Sequence, residues 1–157
     1  RTVSENGIVL LKNTANLLPI DASKYKTIAV IGENATRSLT EGGGSSELKP
    51  KREISPLQGL QAKFGAEKIK YELGYASGKV EYDKVNPSPY DAAVIRKRAV
   101  ELAAKSDLVI FVGGLNKNSQ QDSEGDDRRS YSLPFEQNEL IAELQKVNKN
   151  IVLVMLS

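Results

Sequence analysis

The chain has 157 residues, 39% of them hydrophobic, with 22 Lys+Arg against 20 Asp+Glu and no Cys, His or Trp. That is the profile of one globular domain, and it excludes thiol nucleophiles, disulfides, Cys/His metal sites and imidazole bases. A net charge of +2 spread without basic stripes speaks against a nucleic-acid partner.

In chain order, Ile8-Val-Leu-Leu11 fits either a helix end entering from a preceding domain or a further strand. Lys26 to Ile31 predicts a first buried strand, near-continuously apolar or β-branched. Pro56 to Phe64 predicts a short helix, opened by Ser55 and Pro56 and stopped by Gly65. Lys68 to Leu73 predicts a second strand. Over residues 91 to 105, Ile95, Ala99, Leu102 and Ala103 recur at helical spacing while Arg96, Lys97, Arg98 and Glu101 cover the other side. Asp107 to Val112 predicts a third strand. Pro134 to Val147 carries a helical stripe of Leu140, Ile141, Leu144 and Val147, and Asn150 to Leu156 predicts a fourth strand. The longest apolar run, Ile151 to Leu156, is too short to span a bilayer. Opening at Arg1 without Met and ending at Ser157 on an apolar strand, residues 1–157 are expected to be one domain of a longer protein.

Strands alternating with helices imply βαβ units, hence a mostly parallel sheet in a three-layer α/β/α sandwich of flavodoxin-like type. In such sheets ligands bind beyond the carboxyl ends of the strands. Two loops at that edge, Gly32 to Ser55 and Gly113 to Leu133, far exceed the usual length of about 2–6 residues, so function is sought there. Gly74 to Tyr90, with Tyr75, Tyr82 and Tyr90, either rims the same edge or is a surface excursion.

The second long loop carries Asp122-Ser-Glu-Gly-Asp-Asp-Arg-Arg129. An EF-hand needs Glu at the twelfth position, where Leu133 stands, so calcium is disfavoured. Two readings stay open. In one the loop is solvated and Arg128 or Arg129 pairs with Asp126 or Asp127 at small gain. In the other Glu124, beside the flexible Gly125, donates and accepts protons, because a carboxyl is the conventional acid/base left near neutral pH. The first long loop contains Glu41-Gly-Gly-Gly-Ser-Ser46, either a flexible linker or a cradle for phosphate or sugar oxygens. It matches neither the dinucleotide fingerprint nor the P-loop. Asn34-Ala-Thr36 matches the glycosylation acceptor pattern, a match common by chance.

Six motifs in order now resemble glycoside hydrolase family 3: Glu5-Asn-Gly-Ile-Val-Leu-Leu-Lys-Asn13; Leu18-Pro19; Ile28-Ala-Val-Ile-Gly32 with Asn34-Ala35; Gly42-Gly-Gly-Ser-Ser46; Ser55-Pro-Leu-Gln-Gly-Leu60; and Ser123-Glu-Gly-Asp-Asp-Arg128 with Leu133-Pro134 and Gln137. Together they cover nearly the whole chain, and Gly114-Leu115-Asn116 adds a likeness to bacterial β-glucosidases.

The resemblance implies the C-terminal α/β sandwich of a retaining β-glucosidase, with β-xylosidase of the same family as the alternative. It makes Glu124 the general acid/base and Gly44, Ser45 and Ser46 the sugar-binding stretch, Ser45 ahead of Ser46, with Asp127 and Arg128 supporting the acidic loop. It implies a catalytic Asp on an N-terminal (β/α)8 barrel of the same polypeptide, a β-glucoside or oligosaccharide substrate, no metal or other cofactor, and a periplasmic or secreted setting. Alone, the segment is expected to be inactive. A stand-alone flavodoxin-like binding module and a non-catalytic accessory domain are the competing readings.

Overall fold

The computed structural model describes residues 2–14, 16–37, 45, 50–79, 84, 86–117, 121 and 127–157. Among these, helix α1 is Thr2–Gly7, strand β1 Ile28–Ile31, helix α2 Pro56–Phe64, strand β2 Ile69–Glu72, helix α3 Ala92–Ala104, strand β3 Leu108–Gly114, helix α4 Gln137–Val147 and strand β4 Ile151–Leu156. The sheet is wholly parallel in the order β2-β1-β3-β4, with Ile28 level with both Ile69 and Leu108, and Val109 level with Ile151. This is the doubly wound arrangement: the chain turns first to one side of β1 and then to the other.

The two faces of the sheet bury different residues, as alternation along a strand requires. Ala29, Ile31, Val109 and Phe111 meet Ala99, Ala103, Leu140 and Leu144 of α3 and α4. Ile28, Val30, Ile110 and Val112 meet Phe64, Leu57 and Leu60 of α2. All residues of β1 and β3 are buried, whereas Leu153, Val154 and Met155 of the edge strand β4 are exposed.

Local chemistry explains the boundaries. Ser55 and Gln58 close a reciprocal capping box on α2, Pro56 opens its first turn, and Gly65 ends it at φ 93°. Truncating the Ser55 hydroxyl would cost about 1 kcal/mol. Asp91 Oδ1 accepts from Val94 N at 3.1 Å and starts α3. Helix α4 begins at Gln137, three residues later than its apolar stripe suggests, because Phe135 and Glu136 hold φ of 58° and 56°. β1 begins at Ile28 rather than Lys26 because the Lys26 and Thr27 amides donate to Asp107 Oδ2, at 2.8 and 2.9 Å. β3 instead runs past Val112, since Gly113 and Gly114 still pair with Met155 and Leu156. Ile8 to Leu11 follow α1 without regular structure and are exposed, so the strand reading of that stretch does not hold.

Candidate active-site edge

The carboxyl ends of β1, β2 and β3 converge on a layer of polar side chains. Gly32 leaves β1 at φ 128°, a conformation open to glycine, and a Cβ there would overlap Val112 O. The chain then makes a short 3-10 turn, Glu33–Ala35, tucked over β3. Tyr75, from the segment after β2, lies beneath it: its hydroxyl donates to Val112 O at 3.0 Å and accepts from Asn34 N at 3.3 Å. Burial pushes the Tyr75 phenol far above the ordinary tyrosine range, so it stays a donor at every working pH.

Asn34 is fully buried and donates from Nδ2 to Leu115 O at 3.1 Å. That amide is inside the fold, so the acceptor motif at Asn34 offers no glycosylation site. Its Oδ1 has no partner among the described residues. Beside it, Glu33 Oε2 accepts from Ser77 N at 2.9 Å, Ser77 Oγ at 2.8 Å and Asn116 Nδ2 at 3.2 Å. Arg37 stands 3.9 Å from the same oxygen. The backbone N–H of Asn116 donates in turn to Oε1 of the buried Gln121 at 3.1 Å.

A second anchor lies at the exit of β3. Gln137, buried at the start of α4, accepts from Gly114 N and donates to Gly114 O. Farther out, Arg128 is exposed and bonds to the backbone just after it: Nε donates to Ser130 O at 2.5 Å and Nη2 to Tyr131 O at 2.7 Å. A cleft of about 300 Å³ separates this stretch from Gln121 and Leu115.

Of the residues singled out in the sequence, Ser45, Asp127 and Arg128 are described and exposed. Glu124, Gly44 and Ser46, with Asp122 and Asp126, lie outside the described residues. Among the described residues no group of three or more Asp or Glu could hold a metal ion. Glu33, Ser77 and Gln121, which carry the polar layer, bear no motif in the sequence, and the sequence marks Tyr75 only as a rim residue. Their sole signal in the sequence is position, directly after apolar strands or within the long loops.

A doubly wound α/β sandwich with a hydrogen-bonded polar layer beyond the carboxyl ends of its strands has the architecture in which ligands bind at that edge. The chain belongs to glycoside hydrolase family 3: the model of the "Glycosyl hydrolase family 3 C-terminal domain" matches residues 8–157. It is 54% identical to beta-glucosidase BoGH3A of Bacteroides ovatus, over 99% of this chain and 21% of that protein. It is 34% identical to a beta-xylosidase of Formosa agariphila, over 99% of this chain and 20% of that one. Among solved structures, a Bifidobacterium adolescentis GH3 beta-glucosidase superposes with TM-score 0.70 at 32% identity, over 94% of this chain and 19% of its own. A Kluyveromyces marxianus beta-glucosidase in complex with glucose shares the fold at TM-score 0.82 and 18% identity, over 99% of this chain and 36% of its own. The chain thus spans about a fifth of the length of the curated relatives it matches.

Proposed function

We infer that this chain is the sandwich domain of a retaining β-glycosidase that removes terminal non-reducing β-linked glucose, and that it supplies the general acid/base and part of the sugar pocket. The 54% identity to a beta-glucosidase along the whole chain carries this reading, ahead of the xylosidase alternative at 34%. Retaining hydrolysis needs two carboxyl groups about 5–5.5 Å apart, one attacking the anomeric carbon and one protonating the departing oxygen, then activating water. Glu124 is the second. The first is the Asp expected on a (β/α)8 barrel of the same polypeptide, so docking of the two domains sets the spacing. Ser45, with Gly44 and Ser46, holds sugar hydroxyls. Arg128 supports the acidic loop from its downstream end, where it donates to the carbonyls of Ser130 and Tyr131. Asp127 supports that loop beside it. No metal or cofactor takes part.

Glu124→Gln in the whole enzyme tests the assignment. It should slow alkyl glucosides far more than dinitrophenyl glucoside, within the roughly 10²–10⁴-fold range of acid/base assistance, because an activated phenol departs without a proton. The basic limb of the pH profile on poor leaving groups should disappear, and azide should speed breakdown of the glycosyl-enzyme. Equal slowing of all leaving groups with no azide effect would make Glu124 structural. Purified residues 1–157 should not hydrolyse an aryl β-glucoside, and a preference for aryl xyloside over glucoside in the whole enzyme would turn the reading to xylosidase.

A further inference from the structure

Glu33 is the second residue beyond β1, and a single one of its carboxylate oxygens is touched from all three central loops. Ser77 reaches it from the β2 side with both its amide and its hydroxyl, and Asn116 reaches it from the β3 side. Arg37, on the β1 loop itself, faces that oxygen and also donates to Ser77 Oγ at 3.3 Å. Ser77 and Asn116 are 3% and 2% exposed, and the Glu33 side chain is 16% exposed. Stability alone does not call for such a group, since well-packed apolar side chains of equal volume commonly serve as well or better. A shared acceptor does one thing that apolar packing does not: it ties three backbone segments to one point with directional bonds.

The segments it ties lead to the residues assigned to the sugar. Arg37 stands eight positions before Ser45, and the amide of Asn116 holds Gln121, three positions before Glu124. We propose that Glu33 is a positioning residue that sets the placement of the Ser45 loop relative to the Glu124 loop, acting through Arg37 and Asn116 without touching substrate. The proposal rests on the acid/base reading of Glu124. A group carried about 1 Å from its place can lose on the order of 10²-fold in rate, so a slack tie is felt in the chemistry first.

The test uses the whole enzyme with Glu33→Ala, Glu33→Gln and Glu124→Gln side by side. Active sites are titrated with a 2-deoxy-2-fluoro-glucoside inactivator, so that rates refer to competent enzyme. Per active site, Glu33→Ala should lose about 10- to 100-fold more kcat/KM on an alkyl glucoside than on dinitrophenyl glucoside, because proton delivery suffers most when the loop is misplaced. Glu33→Gln keeps one accepting oxygen and should recover part of that gap. If Glu33→Ala lowers only the active fraction or the melting temperature and leaves the ratio between substrates as in the parent, Glu33 is merely structural and the proposal is overturned. If Glu124→Gln itself fails to separate the two substrates, the acid/base reading falls and takes this proposal with it. Should Glu33→Ala not fold, Glu33→Gln and Ser77→Ala carry the comparison, and an unchanged ratio in both overturns it.

Discussion

Gln137 and Gly114 hold each other through two hydrogen bonds, Gly114 N to Gln137 Oε1 at 2.8 Å and Gln137 Nε2 to Gly114 O at 3.0 Å. The pairing of β1 with β3 stops at Ile31 and Phe111, while β3 continues to Gly114 against β4. Polar groups of Val112 and Gly114 thereby lose a strand partner inside the fold. Tyr75 takes the Val112 carbonyl, and the Gln137 amide stands in for a neighbouring strand at Gly114.

Gln137→Ala should therefore destabilise the domain by about 2–4 kcal/mol, because both backbone groups of Gly114 are left without a partner in a buried place. Gln145→Ala, on the exposed side of the same helix, should stay within about 0.5 kcal/mol of the parent. Urea midpoints of the two variants make the comparison, and equal midpoints would show that Gly114 is satisfied in some other way.

Two glycines should respond to alanine with opposite signs. Gly32 sits at φ 128° with Val112 O where a Cβ would go and the Tyr75 ring 3.1 Å away, so Gly32→Ala should cost about 2–4 kcal/mol and disturb the turn that carries Glu33. Gly59 lies within α2 with nothing inside 4 Å of the place a Cβ would take, and Gly59→Ala should stabilise by about 0.5–1 kcal/mol. Melting temperatures read both changes.

Asp107 predicts a pH dependence. The Thr27 and Lys26 amides that donate to its carboxylate hold its pKa below the usual 3.8. A carboxylate depressed by the fold contributes its stability above the unfolded value and loses it as pH falls through the folded value. Asp107→Asn should therefore be less stable than the parent at pH 7, and the gap should narrow as pH drops below about 4. Urea titrations at pH 7 and pH 3 check the sign; a gap of constant size would mean that the amides prefer the charge no more than the neutral carbonyl.

The sheet was legible because burial on both faces writes itself as unbroken apolar runs, as in Ile28–Ile31 and Leu108–Val112. Helix α2 was legible because Ser55, Pro56 and Gly65 are local signals acting on their own neighbours. The start of α4 was not, since the left-handed backbone of Phe135 and Glu136 has no compositional mark. The polar layer was hidden for another reason. Glu33 meets Ser77 and Asn116 across 44 and 83 positions of chain, and no periodicity or spacing links single polar residues so far apart. Glu124, Gly44 and Ser46 rest on family resemblance, because a carboxylate or a glycine in a long loop has the same composition whether it is catalytic or merely solvated.

The polar layer has one further consequence for the end of the sheet it covers. Glu33, Ser77, Asn116 and Gln121 bond to one another directly beyond the strand ends, so these four side chains find partners within the fold itself. An exchange elsewhere that spares these four residues leaves each of those bonds with both of its partners. The far end of the sheet thus carries its own fastening, made of four side chains that answer one another across the chain.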